Sequence, residues 1–346
     1  MERDLPDSAL QDLFRDLGFV SRSPDLVPLL RRAYRAAEIS DVTVLIEGET
    51  GTGKQVLAQA IHQLDHKRGG FAFATVHCST ITEALAESEL FGHHRGAFSG
   101  AVGSRKGLFG AAQHGTLFLD DVNDLSLALQ PKLLDVLQRG ILRPVGSDSE
   151  MPVDVRVIAA ANRPLEPLVR EGRFRLDLYH RLNVIRLTIP PLRARHVDLS
   201  ALLLAFAERH ASFYAPIVSV DPELVLFLES QPLPGNVREL ENAVQRMLLF
   251  KSEGSSLTLE DWMSQLRNEV TREDGDPLAV SASGVWQSIV GGLGYDQALR
   301  EIERRVLTAA AEVPGSTRRK IAERLHMSER ALYYKMRACG LSARAR

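Results

Sequence analysis

Ile46-Glu47-Gly48-Glu49-Thr50-Gly51-Thr52-Gly53-Lys54 decides how the rest of this chain is read. It follows the apolar run Val42-Thr43-Val44-Leu45-Ile46 and opens directly onto QVLAQAIHQL (55–64), whose apolar residues recur at helical spacing. A strand that turns through glycines into a helix is the setting of a phosphate-binding loop. The glycines let backbone N–H groups converge on phosphate oxygens, the helix N-terminus adds its dipole, and Lys54 supplies positive charge to the β- and γ-phosphates. The candidate nucleotide contacts are Gly48, Glu49, Thr50, Gly51, Thr52, Gly53, Lys54 and Gln55. Gln55 stands where such loops usually carry Ser or Thr, so no hydroxyl is offered to Mg²⁺ there. Taken alone, the stretch also reads as a glycine-rich turn bearing a solvated lysine.

A second signal is Gly115-Thr116-Leu117-Phe118-Leu119-Asp120-Asp121, an apolar run ending in two carboxylates. Parallel sheets present catalytic groups at the C-terminal ends of their strands. That placement assigns Asp120 to the Mg²⁺ that accompanies ATP, and Asp121 to the attacking water. A plain strand capped by a solvated acidic turn is the competing reading of this stretch by itself. Further apolar runs (VTVLIEG, FAFATVHC, VRVIAAAN, VIRLTIP) alternate with amphipathic helical stretches over residues 19–190. That alternation predicts an α/β domain with a mostly parallel sheet. Over 191–266 the strands vanish, and helical spacing punctuated by Leu233-Pro234-Gly235 predicts an all-helical domain. Residues 267–294, rich in Gly, Ser, Asp and Pro, read as a linker. Residues 295–346 are helical and basic, and 1–18 form a short N-terminal extension of acidic and apolar residues.

With both motifs in place, the chain resembles the AAA+ module of sigma-54-dependent enhancer-binding proteins, nearly unbroken from Phe19 to Leu266. The most specific segment is ESELFG (87–92) followed by Gly96-Ala97-Phe98-Ser99-Gly100-Ala101, similar to the family's GAFTGA loop, which touches the sigma factor. An exposed aromatic in a Gly/Ala-flanked loop is costly unless it meets a partner. Ser99 replaces the family's Thr. The resemblance implies an AAA+ P-loop NTPase with a parallel sheet, an all-α lid and a C-terminal three-helix helix-turn-helix domain. It further implies that Asn162 is part of a first sensor and Arg238, in Pro234-Gly235-Asn236-Val237-Arg238, part of a second. Arg175 and Arg181 match the pair that reaches into a neighbouring subunit's ATP site, which implies a ring, commonly a hexamer. Three residues depart from the family: Asp121 for Glu, His77 for an Asn that holds that Glu inactive, and Ala161 for a Thr. They predict a slow or partner-dependent ATPase, with a mixed ring containing a paralogue as one arrangement.

The C-terminal end carries its own signal. From Gly315 onward nine Lys or Arg stand against two acids, Glu323 and Glu329, a net charge of +7 within a chain whose total is −2. ALREIERRVLTAAAEV, TRRKIAERL and SERALYYKMRACG read as three helices, the last two separated by His326-Met327, with Ser328 as an N-cap. This suits a helix-turn-helix whose last helix enters the major groove. The segment resembles the Fis-type domain of enhancer-binding proteins, which implies a DNA-bound dimer. Arg318, Ser328, Arg330, Tyr334, Lys335 and Arg337 are the candidate DNA contacts. A basic hairpin packed on the motor is the competing reading.

Composition bounds the remainder. With 346 residues, 45% hydrophobic and 25% charged, the chain has the makeup of an ordinary folded protein of two or three domains. No apolar run approaches the roughly 20 residues of a membrane span, and the N-terminus lacks a signal-peptide pattern. Two separated cysteines, Cys78 and Cys339, argue against a disulfide framework. A cytoplasmic protein is expected, acting without a membrane. About eighteen residues precede the AAA+ match, so control is expected from a partner protein, expression level or another subunit. Three functions compete. The first is an activator that binds enhancer DNA and remodels sigma-54 RNA polymerase holoenzyme using ATP and Mg²⁺. The second is a DNA-binding regulator whose degenerate motor binds ATP only as an assembly switch. The third, an AAA+ chaperone or protease partner, leaves the basic C-terminus without a purpose.

Overall fold

The computed structural model describes residues 5–80, 83–97, 103–147, 149–210, 217–251 and 254–270, together with 307, 320–322, 332 and 336. Two compact units divide it, Met1–Leu259 and Glu260–Arg346.

The first unit is built on five parallel strands: β1 (Val44–Glu47), β2 (Phe73–His77), β3 (Thr116–Asp120), β6 (Arg156–Ala161) and β7 (Ile185–Thr188), in the spatial order β2-β3-β6-β1-β7. A short antiparallel hairpin joins β4 (Ile141–Leu142) to β5 (Met151–Pro152). The strands read as nearly continuous apolar runs because helices cover both sheet faces. Val44, Ile46, Phe118, Ile158, Ala160 and Leu187 point to one face. There they meet α1 (Asp7–Asp16), α2 (Val27–Glu38) and α3 (Lys54–Leu64). Leu45, Leu117, Leu119, Val157, Ala159 and Ala161 point to the other. That face is covered by α4 (Glu83–Phe91), α5 (Leu108–Ala111), α6 (Gln130–Arg139), α7 (Leu165–Arg170) and α8 (Leu176–Leu182). The period of two along each strand thus sorts one apolar run into two cores.

The lid follows as α9 (Asp198–His210), α10 (Pro222–Glu229) and α11 (Asn236–Phe250). It is not wholly helical: β8 (Ser219–Val220) and β9 (Ser256–Leu257) pair in parallel. Two-residue strands carry no periodicity, so sequence pattern cannot announce them. The expected α/β fold with a parallel sheet is therefore borne out, and the all-helical lid acquires a small sheet. Within the expected N-terminal extension, the described residues 5–18 pack on the sheet domain through α1. Leu10 and Phe14, spaced one helical turn apart in α1, are buried in the same core as Leu30, Leu57 and Phe118.

In the second unit α12 (Leu259–Val270) begins one residue before the division and runs through 267–270, the start of the stretch expected as linker. Leu307, Ile321, Ala322, Leu332 and Met336 are helical and form one buried cluster. They come from each of the three C-terminal segments read as helices, so those segments share a core. Among the described residues, no helix is long and apolar enough to cross a membrane.

Candidate nucleotide-binding cleft

The strand ends assemble the site. β1, β3 and β6 are neighbours in register, so the turn after Glu47, the acids at Asp120 and Asp121, and Asn162 emerge side by side at one edge of the sheet. Gly53 is the N-cap of α3 with φ of 103°, and Gly51 has φ of 79°, conformations that glycine adopts freely. Lys54 is buried to 7% exposure, and its Nζ donates to the carbonyls of Gly48 (2.7 Å) and Glu49 (3.1 Å). Burial pulls its ammonium below the ordinary lysine range, opposed by the Asp120 and Asp121 carboxylates and reinforced by Arg238. Thr50, Gly51, Gly53, Lys54, Gln55, Asp120, Asp121 and Arg238 line one cleft, so the loop, the acidic strand end and the lid meet there.

The lid docks on the loop through a turn. The amides of Val237 and Arg238 donate to the carbonyl of Gly51 at 3.0 and 3.3 Å, and a Cβ on Gly51 would lie 2.1 Å from the Gly235 carbonyl oxygen. Asn236 is fully buried at φ of 54° and accepts from the amide of Leu192. Its carboxamide donates to Thr50 O at 3.0 Å and to the Glu49 carboxylate at 3.3 Å. Arg193 forms a two-pronged bond to Glu49, and with Asn236 it lowers that carboxyl to about 2. Buried Arg195 donates to Thr52 O and pairs with Asp198, whose carboxylate in turn accepts from Ser21 Oγ and the amides of Arg22 and Ser23. None of Asn123, Asn236, Arg193 or Arg195 is singled out by sequence reasoning. The bonds of Asn236, Arg193 and Arg195 to Glu49, Thr50 and Thr52 span well over a hundred residues, and the one local signal is an Asn inside a Pro-Gly turn.

The two acids at the end of β3 are not equivalent. Asp121 sits at φ 51° and ψ 47°, a left-handed conformation uncommon for a side-chain-bearing residue and frequent at functional sites. Desolvation, then repulsion from Asp120, raises its carboxyl above the ordinary range, with Lys54 opposing. The Asn162 side chain lowers the Asp121 carboxyl slightly, and the backbone amide of Asn162 donates to Asn123 Oδ1 at 3.1 Å. His77 faces the other acid, with its Nδ1 3.2 Å from Asp120 Oδ2. The position read from the family as a holder of the second acid therefore contacts the first.

An acid whose folded-state pKa is raised subtracts stability while ionised. The Asp121→Asn variant, which keeps the left-handed backbone accessible, is accordingly expected to melt slightly higher than the parent near neutral pH. The melting difference should close as acid protonates Asp121, and thermal scans across pH check it.

Arg175 and Arg181 do not line the cleft. Arg175 is half exposed at the N-terminus of α8 and binds Asp177 at 3.0 and 2.7 Å. Arg181 donates to the Leu137 carbonyl at 3.0 and 2.5 Å.

Residues 19–188 match the Sigma-54 interaction domain, 193–277 the AAA+ ATPase lid domain, and 298–338 the family described as Bacterial regulatory protein, Fis family. Regulatory protein AtoC of Escherichia coli (strain K12) is 38% identical over 323 residues, which cover 93% of this chain and 68% of AtoC. This chain belongs to the sigma-54-dependent enhancer-binding regulators. A second such regulator, the Nif-specific regulatory protein of Klebsiella pneumoniae, is 41% identical over 92% of this chain, which spans only 58% of that protein's length. NtrX from Brucella abortus in complex with ADP superposes with a TM-score of 0.66 at 28% identity, covering 94% of this chain and 69% of that one.

In this enhancer-binding regulator the loop resembling GAFTGA has a built base. His94 N donates to Val145 O and Val145 N to Gly92 O, which ties the leading end of the loop to the segment between β4 and β5, while His93 and Arg105 exchange backbone bonds that close the loop's two ends on each other. Gly96 takes φ of 83°, and Ala97 packs so closely on Gly146 that a Cβ there would lie 2.7 Å from Ala97 Cβ. Phe98, Ser99, Gly100 and Ala101 lie outside the described residues, as do Arg318, Ser328, Arg330, Tyr334, Lys335 and Arg337.

Proposed function

We propose that this chain is a DNA-binding transcription activator in which a ring of subunits hydrolyses ATP and drives its Phe98 loops against sigma-54 RNA polymerase holoenzyme. The observation that carries this reading is an incomplete site. One subunit gathers Lys54, Asp120, Asp121 and Arg238 in a cleft, while Arg175 and Arg181 lie outside it. A neighbouring copy, or a paralogue in a mixed ring, would supply them, as arginines acting in trans do in phosphoryl transfer.

In this mechanism the loop amides from Gly48 to Gly53 and the ammonium of Lys54 hold the phosphates, and Arg238 senses them from the lid. The donor set fits a hard divalent cation, since Asp120 is an accessible carboxylate lining the cleft. Mg²⁺ held by Asp120 and phosphate oxygens would neutralise charge developing on the transferring phosphoryl group. Asp121 orients the attacking water, with Asn162 positioning its carboxylate. Arg318, Arg330, Tyr334, Lys335 and Arg337 would contact DNA, with Ser328 capping the helix that carries most of them. The backbone bonds between Gly92 and His94, ahead of the Phe98 loop, and Val145 would help carry motion from the cleft to the sigma factor.

Steady-state ATP hydrolysis over a protein concentration series tests the ring. Turnover per subunit should rise steeply with concentration, and a flat response would sink the trans arrangement. Phe98→Ala should keep that ATPase within about twofold yet lose transcription from a sigma-54 promoter, as expected for a contact made only with the partner. Nucleotide binding without turnover at any concentration favours the assembly-switch reading, for which the shorter Asp121 and the His77–Asp120 contact speak.

A further inference from the structure

His77 and Asp120 lie opposite each other in the β2–β3 register, and the amide of Cys78 anchors the pair by donating to Asp120 O at 2.9 Å. The imidazole is half exposed and its Nδ1 lies 3.2 Å from Asp120 Oδ2. Two donors bound at right angles to one cation, each at about 2.1 Å, are separated by roughly 3.0 Å. The pair, close enough to share a hydrogen bond with each other, also has about the spacing of two adjacent ligands on one cation. The loop itself contributes little to a metal: Gln55 offers no hydroxyl, and Thr52 Oγ1 is buried and donates to Glu49 O at 2.8 Å. Among the described residues no three His, Cys, Asp or Glu side chains converge on one point. Two protein donors then need phosphate oxygens to complete a coordination shell. Carboxylate and phosphate alone suit Mg²⁺ and Mn²⁺ alike, whereas an imidazole nitrogen shifts preference toward first-row transition ions such as Co²⁺ or Ni²⁺, with Mn²⁺ the weakest of that series.

We propose that His77 and Asp120 together hold the divalent cation that arrives with the nucleotide, so that this site prefers a first-row transition ion to Mg²⁺, with paramagnetic Mn²⁺ serving as the probe. The inference rests on the nucleotide reading of the cleft.

The test uses the full chain with ADP and Mn²⁺, counting free ion by electron paramagnetic resonance and reading nitrogen coupling on the bound ion by spin-echo modulation. The unaltered protein should show imidazole nitrogen coupling that changes isotope when it is made with ¹⁵N-histidine. His77→Ala should lose that coupling and bind Mn²⁺ about tenfold more weakly. The coupling is read on the unaltered chain, so the result stands even if the variant folds poorly. Bound ADP and Mn²⁺ without nitrogen coupling would overturn the ligand role of His77 and leave the nucleotide reading intact. Failure to bind ADP at all would overturn both.

Discussion

Alanine at Arg175 or Arg181 is expected to lower ATP turnover by about 10³-fold or more, with nucleotide affinity nearly unchanged. In the folded subunit both guanidiniums lie away from the cleft, bound to Asp177 and to the Leu137 carbonyl, so neither contributes to its own nucleotide site. The decisive experiment mixes variants. Arg175→Ala keeps an intact cleft, and Lys54→Ala keeps intact arginines while losing the ammonium that holds the phosphates. Each alone should be inert. Together they form some interfaces in which a complete cleft meets a complete arginine pair, and turnover should return to a measurable fraction of the parent's. A mixture as inactive as its components would show that these arginines do not act across an interface, and would remove the main argument for a ring.

Arg156→Met is expected to destabilise the α/β unit by roughly 3–5 kcal/mol, since it strands a buried carboxylate. Arg156 and Asp65 are completely buried, 2.7 Å apart, and the guanidinium also donates to Ala36 O at 2.6 Å. Asp65 in turn accepts from Ser40 Oγ and from the amides of Lys67 and Arg68. The pair thus fastens the start of β6 to the ends of α2 and α3, on the side of the sheet away from the cleft. At about 2–4 °C per kcal/mol for a domain of this size, the melting temperature should fall by roughly 10 °C. Adding Asp65→Asn should recover part of the loss, because the orphaned charge is removed. Equal melting of the single and double variants would mean that the cost comes from lost packing and not from the uncompensated carboxylate.

The cleft was legible in part because its first half is contiguous in the chain. A strand, a glycine turn and a helix occupy consecutive residues, so Gly48 to Lys54 carries its whole geometry locally, and the acids at Asp120 and Asp121 follow from the strand that delivers them. His77 was visible as a departure from the family, but the acid it touches depends on how β2 pairs with β3. Asn236 looked like part of a turn. Its role in joining the lid to Thr50 and Glu49 exists only when residues nearly two hundred positions apart meet. Arg156 opens a strand in the sequence, where an arginine usually reaches water; that it is buried depends on Asp65, ninety-one residues earlier.

By itself the sequence determined the alternation of strands and helices, the phosphate-binding turn, the acidic strand end and the cationic C-terminus. Each is written in neighbouring residues, through side-chain period, glycine's backbone freedom and charge. Only the tertiary structure decided that α1 belongs to the core, that Asn236 and Arg193 clamp the lid on the loop, that His77 faces Asp120, and that Arg175 and Arg181 stand apart from the cleft. Those facts depend on which strands pair and in what register, and long-range pairing is set by the burial of whole faces at once, which no local window of residues contains.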